Sequence, residues 1–208
     1  MTNTIPEMKH CHVMQKNDIE AYAECFAHAF EGYSLFEYFS GRKYDVRKMM
    51  LFWKVLLTAS REQSFCIGDA YYPNTVALFY PPDYKGAGFL QYIKAGGWKI
   101  MFRFGLRSTA QMLRFEALAE KIKAKYAPEK CWYLYGYATR PEFRNQGCGS
   151  RILKPILDYF DAMGQACYLE TLKEENVSLY GHYGFSLAES SRVPGTDMTL
   201  YAMVRNGR

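Results

Sequence analysis

Seven residues, Arg144-Asn145-Gln146-Gly147-Cys148-Gly149-Ser150, separate an aromatic, strand-like run from a helix-like one. Glycines in such a turn let the backbone approach a ligand and expose several N–H groups in one direction. The helix that follows adds its unpaired first-turn donors and the positive end of its dipole. The chemistry implied is anion binding, and a pyrophosphate suits it best. Spacing excludes two common phosphate motifs. A Walker loop needs Gly-Lys-Ser/Thr, whereas Arg151 and Ile152 follow Gly149-Ser150. A dinucleotide fingerprint needs a glycine three residues after Gly149, where Ile152 stands. Taken alone, the segment also reads as a glycine-rich turn that binds nothing.

Two other features invite a chemical reading. His10-Cys11-His12 puts both imidazoles on one face of a strand, but no third or fourth ligand is evident, so no metal is expected. Cys148 opens a helix, where a thiol pKa can fall, yet it occupies the variable position of the loop.

The elements that would carry these residues follow from periodicity. Cys11 to Gln15 reads as a short strand. Asn17 or Asp18 can cap a helix through about Ala29, with Ile19, Tyr22, Ala23, Phe26 and Phe30 at helical spacing. A second helix is predicted from Val46 to Ser60. Phe65 to Gly68 and Thr75 to Tyr80 read as strands joined through Pro73-Asn74, and Pro81-Pro82 ends the second. Residues 81–130 read as a helical insertion broken at Gly96-Gly97. Cys131 to Thr139 is a strand by its aromatic content, followed by a loop from Pro141 to Gly149. Ser150 to Met163 is a helix that Pro155 should kink or whose packing it should set. A strand from Ala166 to Thr171, a short helix from Asn176 to Tyr183, and strands at Phe185 to Glu189 and Met198 to Val204 complete one α/β domain.

Arg144-x-x-Gly147-x-Gly149 matches the Arg/Gln-x-x-Gly-x-Gly/Ala signature of GCN5-related (GNAT) N-acetyltransferases. Tyr168-Leu169-Glu170-Thr171, then Asn176, then Leu179-Tyr180-x-x-Tyr183-Gly184-Phe185 resemble the rest of that family's cofactor half. The wording is most similar to the branch containing puromycin N-acetyltransferase and other small-molecule acetyltransferases. The likeness is specific over residues 131–185. One departure is Asn145, which stands where that branch usually has glycine.

The resemblance implies a mixed, mostly antiparallel central sheet flanked by helices, opened between the strands near Tyr137 and Leu169. It also implies acetyl-CoA as the co-substrate. Tyr137, Ala138 and Thr139 would lie along the pantetheine arm, with a backbone N–H near Tyr137 facing the thioester carbonyl. Arg144, Asn145, Gln146, Gly147, Cys148, Gly149 and Ser150 would hold the pyrophosphate, and Asn176 would touch the pantetheine. Tyr180 would protonate the departing sulfur. Tyr183 reads as core. Glu170, in the neighbouring strand, has two readings: a general base for the amine, or a structural hydrogen-bond acceptor.

The function that follows is transfer of an acetyl group to a primary amine of a small molecule, by direct attack in a ternary complex. Acetylation of a protein or peptide, and CoA binding without turnover, are the alternatives. Residues 81–130 would act as a lid over the acceptor, with Trp98, Phe102 and Phe104 suited to an amphipathic amine. The same stretch holds ten Lys or Arg against four acids, which reads as a solvated face or as attraction for an anionic ligand such as a CoA tail. No nucleic acid or membrane partner is expected, and the state would be monomer or homodimer. The chain has 208 residues, 49% of them apolar, with a net charge of +5. No signal-like or membrane-spanning run is evident, so a cytoplasmic location is expected, with six unpaired cysteines reduced.

Overall fold

The computed structural model describes residues 8–41 and 43–207. Seven strands form one sheet: β1 (His12–Val13), β2 (Phe65–Gly68), β3 (Thr75–Tyr80), β4 (Cys131–Thr139), β5 (Ala166–Thr171), β6 (Ser186–Arg192) and β7 (Thr199–Arg205). Their order across the sheet is β1-β2-β3-β4-β5-β7-β6. Every adjacent pair is antiparallel except β4 with β5. This is the mixed, mostly antiparallel architecture implied by the sequence.

Helices α1 (Ile19–Ala29), α2 (Ser34–Ser40) and α3 (Val46–Ser60) precede the second strand. Helices α4 (Phe89–Lys94) and α5 (Gly97–Tyr126) form the insertion between β3 and β4. Helix α6 (Cys148–Ala162) links β4 to β5, and α7 (Glu174–Gly181) links β5 to β6. Among the described residues, no helix is long and apolar enough to cross a membrane.

Helices α1, α2, α3 and α5 pack on one face of the sheet, against Val76, Leu78 and Ala138. Helix α6 covers the other face, with Ile152, Leu153, Ile156, Leu157 and Phe160 buried against Ala77, Phe79, Trp132 and Leu134. That stripe repeats at the period of a helix, and each such side chain stabilises by about 1.5–3 kcal/mol on burial. Helix α6 runs through Pro155 without interruption and ends at Ala162, and Gly164 just beyond it takes φ 61°. At its far end Asp161 receives two hydrogen bonds from the guanidinium of buried Arg205 on β7, at 2.6 and 2.5 Å.

The structure departs from the sequence reading in several places, the first being that β1 covers only His12–Val13, so His10, with φ 66°, is not on the strand with His12. Asp18 does not cap α1 through its side chain. It accepts instead from the backbone N–H of Gln15 at 2.7 Å and pairs with His12 Nε2 at 2.8 Å. That contact occupies the imidazole that had looked like a metal ligand. Helix α2 was not expected, because Ser34–Ser40 spans only seven residues and its N-cap, Tyr33, makes no side-chain cap bond. Helix α5 bends at Gly105, which takes φ 82° and ψ 162° inside an otherwise helical run. The loop after β4 holds a 3-10 turn at Pro141–Phe143 before α6 begins.

Two irregularities in β4 shape everything that follows. Its parallel pairing with β5 runs from Cys131↔Ala166 only to Leu134↔Leu169. Beyond that point the strands part, and the β4 edge over residues 135–139 has no strand beside it. The pairing with β3 also shifts there: Leu134 opposes Phe79 and Gly136 opposes Leu78, which leaves Tyr135 as the extra residue of a bulge. Before the bulge Trp132 and Leu134 face α6. After it Tyr137 faces α6, and Tyr135 and Ala138 sit on the opposite side. A bulge re-aims side chains in this way because one added residue inverts a period of two.

Candidate active site

Two cavities meet in the gap between β4 and β5. The larger has a volume of about 520 Å³. Tyr137, Ala138 and Thr139 line one wall, and Arg144, Asn145, Gly147, Cys148, Gly149 and Ser150 form its floor. Asn176 and Tyr180 of α7 close the other side. The residues singled out in the sequence are thus brought together, with one exception. Gln146 does not line the cavity, and its amide turns back to donate to the carbonyl of Glu142 at 2.9 Å. Tyr183, read as core, is half-buried and lines the cavity, with its hydroxyl 2.6 Å from Ser150 Oγ.

The loop is held in a shape that only certain residues tolerate. Asn145 has φ 60° and Gly147 has φ 72°, both in the left-handed region. Asparagine is among the few side chains that accept that region readily, so Asn145 keeps the backbone path that a glycine would take. Gly149 is needed for a different reason: a β-carbon there would meet the Tyr137 hydroxyl at 2.1 Å. Arg144 fastens the loop to its surroundings, donating to the carbonyls of Ala29 at 2.7 Å and Thr139 at 3.2 Å. Helix α6 therefore presents first-turn N–H groups to a cavity of about 520 Å³ bordered by Arg144, an arrangement in which an anion would be favoured.

The smaller cavity, of about 100 Å³, lies on the α5 side and shares Phe30, Tyr33, Tyr137, Asn176 and Tyr180 with the larger. Its walls are aromatic. Trp53 stacks on Phe26, with ring centroids 4.1 Å apart, and on Phe30, at 5.6 Å, with Phe36 edge-on to it. Tyr33 is anchored by accepting from the Leu172 N–H at 2.8 Å.

Two carboxyl groups face this space. Glu170 on β5 accepts from the Tyr133 hydroxyl at 2.5 Å, while its Oε1 is buried with no hydrogen-bond partner of normal geometry. The Tyr168 hydroxyl lies beside it, and Glu116 lies near enough to repel its charge. Burial pushes the Glu170 carboxyl up to about 7 against the pull of the Tyr133 and Tyr168 hydroxyls. Glu116, on α5, accepts from the Tyr135 hydroxyl at 2.8 Å, and burial raises its pKa as well. Sequence reasoning counted Glu116 merely as an acid among the cations of the insertion. The signal that could have found it is its register, four residues after Met112 and three before Ala119, both buried.

Tyr180 lines both cavities. Its ring packs on Tyr137 and Phe185, and burial raises its phenol above the ordinary value, so the proton stays on. The proposed lid residues are placed otherwise. Trp98 and Phe102 are exposed, and Phe104 is buried against the α1–α3 core, so none of them lines the smaller cavity. The insertion reaches the cavity through Phe115, Glu116 and Ala119 instead.

Residues 110–185 match the Acetyltransferase (GNAT) family model. Over those residues the chain is similar to that family, whose donor is acetyl-CoA, and its sheet and flanking helices have the GNAT-type fold. Over the whole chain, the fold is similar to a solved structure described as histone acetyltransferase HPA2 and related acetyltransferase from Corynebacterium glutamicum. The TM-score is 0.65 and the identity 19%, covering 95% of this chain and 96% of that one. A polyamine N-acetyltransferase from Drosophila melanogaster, which forms N-acetylagmatine, aligns at TM-score 0.58 and 13% identity, over 94% and 99% of the two chains. Among curated proteins, a probable serine/threonine-protein kinase from Dictyostelium discoideum is 18% identical over 94% of this chain. The chain spans about a quarter of that relative's length, covering 23% of it.

Proposed function

We propose that the protein transfers an acetyl group from acetyl-CoA to a primary amine of a small molecule, in a ternary complex. The observation that carries this reading is the junction of the two cavities at Tyr137 and Tyr180. It would give a donor arm along β4 and an amine in the aromatic cavity one common point of contact.

Each residue then has a task. The first-turn N–H groups of α6 and the Arg144 loop bind the pyrophosphate. The open edge of β4 hydrogen-bonds the pantetheine arm, and Asn176 holds its other side. A backbone N–H near Tyr137 stabilises the oxyanion as the amine nitrogen attacks the carbonyl carbon. Glu170 takes a proton from the ammonium, directly or through water, since a carboxyl with a pKa about 7 is a competent acceptor near neutrality. As the carbon–sulfur bond breaks, the Tyr180 hydroxyl donates to the sulfur and is reprotonated by exchange with solvent.

The aromatic walls and the two carboxyls of the smaller cavity favour a compact cationic amine. A volume of about 100 Å³ leaves little room for a peptide chain, which weighs against protein acetylation. The test incubates the full chain with acetyl-CoA and polyamines, arylalkylamines, aminonucleosides, aminoglycosides, amino acids and short peptides, following free CoA by mass spectrometry. Amine-dependent CoA release from a compact amine supports the reading. Release with peptides alone would replace the acceptor class, and binding of acetyl-CoA without release under any amine would favour the non-catalytic alternative.

A further inference from the structure

Residues 84–115 contain six cations, Lys85, Lys94, Lys99, Arg103, Arg107 and Arg114, and no Asp or Glu. All six side chains are exposed. Among the described residues, none of them enters a salt bridge. The same stretch exposes several large apolar side chains. Phe89 is 78% exposed, Leu90 70%, Phe102 79% and Leu106 75%.

Helical register explains why these groups share a surface. On the first half of α5, Ile100 and Phe104 turn inward to the core, which leaves Trp98, Met101 and Phe102 on the opposite side. On α4, Tyr92 packs inward while Phe89, Leu90 and Ile93 stay outside. The two helices meet closely at Gly97, where a β-carbon would lie 2.8 Å from the Tyr92 carbonyl. Trp98 and Phe102 pack edge to face at 6.0 Å, with Lys99 Nζ 5.6 Å from the Trp98 ring centre.

We infer that this α4–α5 face is a docking surface for an anionic lipid bilayer. An apolar helical stripe carrying tryptophan and phenylalanine, interspersed with Lys and Arg and with no Asp or Glu between residues 84 and 115, is the pattern of a helix lying in the headgroup plane. Aliphatic stems of the basic residues can follow the apolar surface while their charges reach phosphate. A second copy of the chain fits less well, because two-fold pairing would bring the same unpaired cations face to face. A nucleic acid would take the charge but has less use for Leu90, Met101 and Leu106, which are not stacking platforms. This surface is independent of the acetyl-transfer reading.

The experiment floats the full chain on vesicles of phosphatidylcholine alone and of phosphatidylcholine with phosphatidylserine. Flotation with the serine lipid, weakened by salt, is the expected result. Trp98→Ser with Phe102→Ser should abolish it. Lys99→Ser with Arg103→Ser should weaken it about thirtyfold, each basic residue contributing about fivefold near an anionic surface. These side chains are exposed, so circular dichroism and thermal unfolding should match the parent, and a variant that failed this control would be replaced by Leu106→Ser or Arg107→Ser. Failure to float with the serine lipid, or equal flotation on both vesicles, would overturn the proposal. So would a protein dimer that the apolar variants dissolve without any lipid binding. A single-stranded oligonucleotide bound more tightly than vesicles, and insensitive to the Trp98 and Phe102 changes, would overturn it too.

Discussion

The hydroxyl of Tyr137 on β4 stands over the α-carbon of Gly149 in the first turn of α6, so near that a β-carbon on the glycine would lie 2.1 Å from it. The contact sets how closely the open edge of β4 approaches the glycine turn before α6. The Tyr183 hydroxyl lies beside Tyr137 and bonds Ser150 at 2.6 Å, tying the turn after α7 to the same place. Gly149→Ala should therefore push α6 away from β4, with the 1–3 kcal/mol cost usual for overpacking and at least a tenfold loss in acetyl-CoA affinity. Tyr137→Phe should recover part of the loss, because the nearest atom left, the ring carbon Cζ, lies 3.1 Å from the added methyl. Calorimetric titration of the two single variants and the double variant measures the coupling; additive losses would contradict it.

Tyr180 touches both cavities and holds its proton firmly. Tyr180→Phe should keep acetyl-CoA affinity within about twofold and lower kcat by about 10²–10⁴, the span of a lost general acid. An acyl donor whose leaving thiol is more acidic should be less sensitive to the change. Equilibrium binding and steady-state rates on one preparation separate the two effects, and an unaltered kcat would remove Tyr180 from the chemistry.

Glu170 should impose a pH dependence on both rate and stability. As a base it works when ionised, so kcat/KM should rise through pH about 7 and level off above it, and Glu170→Gln should abolish that limb. Stability should move the other way. The folded-state pKa lies above the unfolded value, so the folded state binds the proton more tightly. The contribution is full below about pH 4.5, and it is lost as pH rises to about 7. Urea unfolding at about pH 5 and about pH 8 should differ less in Glu170→Gln than in the parent.

Glu116 receives the Tyr135 hydroxyl and faces the smaller cavity from the insertion. Glu116→Gln keeps the shape and removes the charge. It should raise the KM for a cationic amine by about tenfold, in line with 1.5 kcal/mol for a hydrogen bond to a charged group, and leave the KM for acetyl-CoA unchanged. Equal changes in both constants would point to a disturbed fold and not to acceptor recognition.

Local signals in the chain were enough for much of this. Helix α3 and strands β2 through β5 begin and end where apolar period, proline and glycine say they should, because those elements satisfy their own hydrogen bonds or bury a regular stripe. The glycine turn before α6 was legible for the same reason: Gly147 and Gly149 act through neighbouring backbone, within a single strand-to-helix connection. Asn145 even kept the left-handed path expected of glycine. Tertiary structure alone decided which side chains meet across the gap. The gap between β4 and β5 was implied by the family resemblance, but the bulge at Tyr135, the point at Leu134 where the strands part, and the bend at Gly105 arise from packing between segments distant in the chain. They carried Tyr137 toward α6, set Glu116 beside the cavity, and left Trp98 and Phe102 outside it. Periodicity names the face of a helix that will be buried, but the partner that buries it is chosen only when the whole chain closes around one core.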